Sequence, residues 1–519
     1  MPKPFDFGAI NLTTGEDSSR AHPTPETPFC VAILGDFSGR ANRRIVNVET
    51  IGERRAVLVD RDNFDEVLSR AGVEIRLAMG NDSLQLRFSE LDDFHPDRVF
   101  QNLEIFGKLR DLRGRLQDSA RFREAADELE LGSSAAVRES ERLEALPAAA
   151  PVASRLASGS LLDEMIEQSE ARAITSSYER SNERSGKRRD DVGEFARRIV
   201  AQHLVNSPDP RQPEVLAVID NAIGGLMSAI LHHPDWQALE AIWRATFLLV
   251  RQLETGSNLK LYLFDITKQE LAADLGSGND LRNTGTYRLL VEKSVGTQGA
   301  EPWAILVGNY RFGPSEDDTR LLFRMAEVAQ GAGAPFLAEA EAQLLGCSSL
   351  ESTPHPREWA LPGKLARWSE LRRQTEASAV GLALPRFLLR LPYGKKTSAL
   401  ESFDFEEMTD KRVHEDYLWG NPAFATALLL AESFSEAGWE MHPGSVAQID
   451  NLPIHVYSRN GQLESQPCAE VALPEDAVER MIEDGLIPLI SFKDRDLVRV
   501  ARFQSVADPA RGLAGRWVK

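Results

Sequence analysis

Pro28-Phe29-Cys30-Val31-Ala32-Ile33-Leu34-Gly35-Asp36 is a continuous apolar run closed by a turn signal. A short run without polar alternation predicts a β-strand buried on both faces, as in a sheet covered by helices on each side. Just downstream, Ala56-Val57-Leu58-Val59 repeats the pattern, while Leu84, Leu86 and Phe88 alternate with polar residues as a half-buried strand does. These runs predict one sheet. Asn63-Phe64-Asp65-Glu66-Val67-Leu68 opens a short amphipathic helix, and Val99, Leu103, Phe106, Leu109 and Leu112 recur at helical spacing within 97–130. Residues 28–130 thus read as a small α/β unit.

Before this unit, residues 1–27 form a polar arm whose apolar island Phe5-Asp6-Phe7 suits pairing with another surface. After it, 131–157 shifts to small residues and proline and reads as a linker, and 158–210 holds a short helix followed by a charged loop. From 211 to 519 the pattern is a second, larger α/β unit with a mixed sheet. Val215, Leu216, Ile219, Ile223, Leu226, Met227, Ile230 and Leu231 mark a long amphipathic helix ended by His232-His233-Pro234, and a further helix spans 236–250. Strand-like runs follow at 259–264, 303–307, 380–384 and 487–490, with helices at 316–330 and 422–437.

At 519 residues the chain is too long for one small core, and its 42% hydrophobic and 27% charged content is that of a folded globular protein. Sixty Lys+Arg against 79 Asp+Glu give a net charge of -19, which opposes binding to nucleic acid or anionic membranes. Lys187-Arg188-Arg189 is balanced by Asp190 and Asp191 and reads as a solvated loop. The N-terminus has no basic region followed by an apolar run, and no uninterrupted apolar stretch is long enough to span a bilayer, so a cytoplasmic protein without membrane insertion is expected. Cys30, Cys347 and Cys468 are widely spaced and read as buried thiols.

Catalytic signatures are not found. His232 and His233 point about 100° apart on a helix and have no third ligand at suitable spacing. Tyr393-Gly394-Lys395-Lys396-Thr397 departs from a phosphate-binding loop, with Leu389 in place of its first glycine and Lys396 in place of Ser or Thr. Gly35-Asp36-Phe37-Ser38-Gly39 sets its serine one position late for a nucleophile elbow. Asp92-Asp93 and Glu406-Glu407 are carboxylate pairs with nothing to link them to a cleft. No enzyme, cofactor or metal site is expected.

The segment 28–40, together with Val59-Asp60-Arg61-Asp62-Asn63-Phe64 and Ser89-Glu90-Leu91-Asp92-Asp93-Phe94-His95-Pro96-Asp97, resembles the small subunit of type VI secretion system contractile sheaths. Residues 158–506 resemble the large sheath subunit. The distinctive blocks are Ile230-Leu231-His232-His233-Pro234-Asp235-Trp236 with Trp243-Arg244, then Pro302-Trp303-Ala304-Ile305-Leu306-Val307-Gly308-Asn309-Tyr310, Leu384-Pro385-Arg386-Phe387 through Tyr393-Gly394, and Tyr417-Leu418-Trp419-Gly420-Asn421-Pro422. The resemblance implies a bacterial structural protein in which both parts form one intertwined α/β protomer. In that family, protomers stack as a sheath around an inner tube and drive effector delivery by contraction.

Further expectations follow from the resemblance. Asp36, Phe37, Phe64, Phe94, Trp236, Trp243, Arg386, Tyr393 and Trp419 become candidate core or interface residues, with Arg386 facing a carboxylate of a neighbouring protomer. Leu161, Leu162, Met165 and Ile166 gather on one face of a short helix and are candidates for contact with an AAA+ unfoldase. Self or related sheath protomers, the inner tube protein and the baseplate are the other implied partners. Past Val506 the family's large subunit normally continues with a domain-sized segment, where here only 507–519 follow. That departure raises the alternative of a non-contractile assembly, capping or baseplate factor; an enzyme of unidentified activity is the second alternative.

Overall fold

The computed structural model describes residues 23–79, 82–118, 121–122, 125–126, 212–278, 280–295, 300–359, 366–408, 412–459 and 461–517. Most of the arm, the linker 131–157, the segment 158–210 and with it Leu161, Leu162, Met165 and Ile166 lie outside the described residues.

The first region contributes β1 (Phe29–Gly35), β2 (Val57–Val59), α1 (Phe64–Ala71), β3 (Val73–Met79), β4 (Asp82–Phe88), α2 (Pro96–Asn102) and α3 (Glu104–Gln117). The second begins with α4 (Gln212–Leu231), α5 (Pro234–Gln252), β5 (Leu259–Asp265), α6 (Lys268–Leu275), β6 (Trp303–Phe312), α7 (Glu316–Ala332) and β7 (Phe336–Ala340). It continues with α8 (Ala366–Arg373), β8 (Val380–Leu384), β9 (Phe387–Leu388), β10 (Trp419–Gly420) and α9 (Pro422–Ala437). Its last elements are β11 (Gln448–Ile449), β12 (His455–Arg459), β13 (Gln462–Gln466), α10 (Glu475–Glu483), β14 (Ile487–Ser491) and β15 (Val498–Val500).

One large sheet organises the α/β fold, in the order β11-β15-β14-β8-β7-β6-β1-β5-β2. Its centre is parallel from β5 to β14; β2 pairs antiparallel with β5 at one edge, and at the other β15 pairs antiparallel with both β14 and β11, so the sheet is mixed. Strand β1 fills the slot between β5 and β6, with Val31 opposite Leu261 on one side and Ile305 on the other.

Burial on both faces follows from that position. Phe29, Val31 and Ile33 belong to the core beneath α5 and α9, whereas Cys30, Ala32 and Leu34 belong to the core beneath α7. Burying a Val or Ile side chain in this way contributes about 1.5–3 kcal/mol each. The turn beyond β1 requires glycine at Gly39, where φ is 77° and an added Cβ would run into the Glu74 carbonyl.

Three expectations for the first region are corrected. Strand β2 is an edge strand rather than one buried on both faces: Val57 and Leu58 are each 43% exposed because only β5 pairs with it. Strand β4 pairs with β3 as a separate hairpin instead of joining the large sheet. The helical run from 97 is also broken at Leu103, whose extended backbone (φ -78°, ψ 130°) ends α2 and starts α3.

Helix α4 is long and apolar enough to cross a membrane, with mean hydropathy 1.6 over Pro213–Leu231. Val215, Ile219, Ile223, Met227 and Ile230 nevertheless sit in the core, and Asp220 pairs with Arg113 of α3 at 2.6 Å. Its apolar stripe is therefore that of an amphipathic core helix. All three cysteines are free and buried, as the sequence predicts.

Candidate functional site

The joint between the two sequence regions gathers most of the candidate residues. Asp265, the last residue of β5, accepts the backbone N–H groups of Phe37 and Ser38 at 2.9 and 3.1 Å and the Ser38 hydroxyl at 2.7 Å. Asp36 folds the turn locally by accepting the amides of Arg40 and Ala41 at 2.7 and 2.8 Å. Burial raises the Asp36 pKa above its ordinary value, against the pull of those amides. Across the turn, the buried Glu270 of α6 binds the guanidinium groups of both Arg40 and Arg54 and the Asn47 amide. Burial pushes the Glu270 pKa up, but the Arg54 guanidinium and the Asn47 and Thr267 amides outweigh it and lower it below its ordinary value.

Aromatic contacts make the second part of the joint. Trp243 of α5 donates its indole N–H to the Phe37 carbonyl at 2.9 Å, and its ring meets those of Phe37 and Phe64 edge-on at 5.3 and 5.7 Å. About two turns earlier on the same helix, Trp236 contacts Phe94 at 5.5 Å and Phe88 at 5.3 Å. These rings come from both regions, so neither region buries them alone.

Beneath the tryptophans lies a buried charge cluster. Arg390 donates to Glu240 at 2.8 Å and to both oxygens of Glu407 at 2.8 and 2.9 Å. Glu240 also accepts from Arg244 at 2.6 Å and from the Trp236 indole at 3.0 Å. Tyr393 lies under Arg390 at 4.4 Å, donates its amide to Glu407 at 2.7 Å and touches the His95 ring at 5.0 Å. Burial alone would push both carboxyls up; Arg390, with Arg244 at Glu240 and His232 at Glu407, lowers them instead, Glu407 to about 2.

Arg386 and Trp419 stand apart from this joint. Arg386 bonds Glu470 at 2.7 Å and Glu415 at 3.2 Å, both in its own chain, and Trp419 donates to the His414 carbonyl at 2.9 Å. The sequence assigns no site to Glu240, Arg390 or Glu407. Their signal is a charge inside an apolar stretch, as Glu240 is between Leu239 and Ile242.

A cleft of about 570 Å3 opens beside the cluster, lined by Phe247, Leu389, Tyr393 and Leu452 among others, and its Arg244 and Arg390 are already engaged by Glu240 and Glu407. Among the described residues no group of three or more His, Cys, Asp or Glu side chains is placed to hold a metal ion. The turn contacts to Asp265 and Glu270 and the rings around Trp236 and Trp243 bind one sequence region to the other, while the ion pairs of the charge cluster lie within the second region.

Comparison with known proteins agrees with this division. Residues 9–150 match the family described as "Type VI secretion system, VipA, VC_A0107 or Hcp2". Residues 213–507 match "EvpB/VC_A0108, tail sheath N-terminal domain", also called VipB. The type VI secretion system sheath protein TssC1 of Pseudomonas aeruginosa is 32% identical over 334 residues, which cover 61% of this chain and 67% of that protein. With more than half of its length inside the sheath match and a VipA region ahead of it, this chain belongs to the structural family of type VI secretion sheath proteins.

Proposed function

We propose that the chain is a two-part protomer of a contractile sheath, working in the bacterial cytoplasm, in which the VipA-like and VipB-like regions are intertwined. The observation that carries this reading is the place of β1: a strand of the VipA-like region pairs on both sides with strands of the VipB-like region. Strand insertion makes the two regions one folding unit. Fusion in one chain fixes their ratio and raises their effective concentration during folding.

In this reading the protein performs no catalysis. Its work comes from a free-energy difference between two packings of the same protomers around an inner tube, which needs bistable interfaces rather than reactive groups. The proposed partners are further copies or related sheath chains, the inner tube protein, the baseplate and an AAA+ unfoldase that engages Leu161, Leu162, Met165 and Ile166. Electron microscopy of the purified chain, alone and co-expressed with the inner tube protein, tests the assignment. Regular hollow tubes are expected; discrete particles seated on the ends of another sheath would replace it with an assembly or capping role.

A further inference from the structure

The tripeptide His-Pro-Asp occurs twice, at 95–97 in the first region and at 233–235 in the second. Each copy starts a helix the same way. His95 Nδ1 accepts the Asp97 amide at 3.2 Å to cap α2, and His233 Nδ1 accepts the Asp235 amide at 3.2 Å to cap α5. Each aspartate then reaches into the opposite region. Asp97 accepts the backbone N–H groups of Glu401 and Ser402 at 3.0 and 2.9 Å. Asp235 accepts the side-chain amide of Asn42 at 2.7 Å, and Asn42 in turn bonds the peptide of Arg76 at both its N–H and its carbonyl.

A neutral imidazole nitrogen can accept an N–H; a protonated one cannot, and it places a cation at the positive end of a helix. We propose that the two His-Pro-Asp caps form an acid-sensitive clasp across the joint, with neutral His95 and His233 holding Asp97 and Asp235 in their cross-region bonds and protonation of both loosening the two regions.

Burial lowers the pKa of both histidines below 6.5. Around His95, Asp97 and Asp92 oppose that shift while Arg244 and Arg390 reinforce it, and the Tyr393 ring packs edge-on; at His233 the opposing charge is Asp235. A base with a depressed folded pKa stabilises above its unfolded value, and that stability is lost as pH falls from 6.5 through the folded value. The depressed carboxylates Glu407 and Glu470 titrate far below this window, near 2.

The test compares thermal unfolding of the full chain with that of H95N/H233N between about pH 7.5 and pH 5.5, since asparagine caps helices without titrating. The unaltered chain is expected to lose Tm over this range, and the double variant to lose less than half as much. Equal losses overturn the clasp. In the unaltered chain, exchange protection of the Glu401 and Ser402 amides should fall by about tenfold over the same range after correction for intrinsic rate. Constant protection at those amides overturns it independently, whether or not the variant folds.

Discussion

Replacing Arg390 by Met is expected to destabilise the chain by about 3–5 kcal/mol, the usual effect of removing one member of a buried ion cluster. Glu240 is fully buried and Glu407 only 3% exposed, so neither carboxylate can turn to water when the guanidinium is gone. Arg244 stays beside Glu240, which leaves Glu407 as the more exposed to the loss. Urea denaturation followed by far-UV circular dichroism measures the effect. Adding Glu407→Gln to the variant should recover part of it, because a neutral amide costs less to bury than an unpaired carboxylate. A midpoint unchanged from that of the unaltered chain would show that the cluster does not stabilise the second region.

The same cluster sets an acid limit. Glu407 titrates near 2 in the folded chain against an ordinary value of 4.5, so its contribution is fully present above about pH 4.5 and is lost as pH falls toward 2.

Trp243→Ala should have an effect of similar size, about 3–5 kcal/mol, from the cavity left by a fully buried indole. The ring is 0% exposed and touches Phe37 and Phe64, both from the first region, so its removal takes contact area from the joint itself. Trp243→Phe separates packing from hydrogen bonding. It keeps a ring between those partners but leaves the Phe37 carbonyl without its donor, an effect of about 1–3 kcal/mol. Urea midpoints for the two variants should rank Ala below Phe below the unaltered chain. Equal midpoints for Ala and Phe would remove the aromatic packing from the account.

Much of this architecture was legible in local sequence. The run 28–34 announced a strand covered on both faces, and β5, β8 and β14 and helix α9 lie where apolar runs and helical spacing put them. Strand β7 was missed: Phe336-Leu337-Ala338-Glu339-Ala340 is rich in alanine and carries a glutamate that is buried beside Arg311. Exposure of β2 was equally hidden, because whether a strand is central or at an edge depends on partners distant in the chain.

Candidate residues divide in the same way. Asp36, Phe37, Phe64, Phe94, Trp236, Trp243 and Tyr393 are candidates through the family resemblance, and the fold collects them at one joint. The ionic contacts were not readable, since Arg390 and Glu240 stand 150 positions apart and only the folded chain pairs them. The reach of the two His-Pro-Asp caps across the joint depends on partners distant in the chain, Asn42 for Asp235 and Glu401 with Ser402 for Asp97.

Cutting the chain tests the central claim, that both regions share one folded unit through β1. With a specific protease site placed at Ala148, complete cleavage followed by gel filtration in native buffer should yield both fragments in one peak. They should separate only in denaturant. Independent elution of the two fragments in native buffer would contradict the shared sheet and, with it, the reading of this chain as a single sheath protomer.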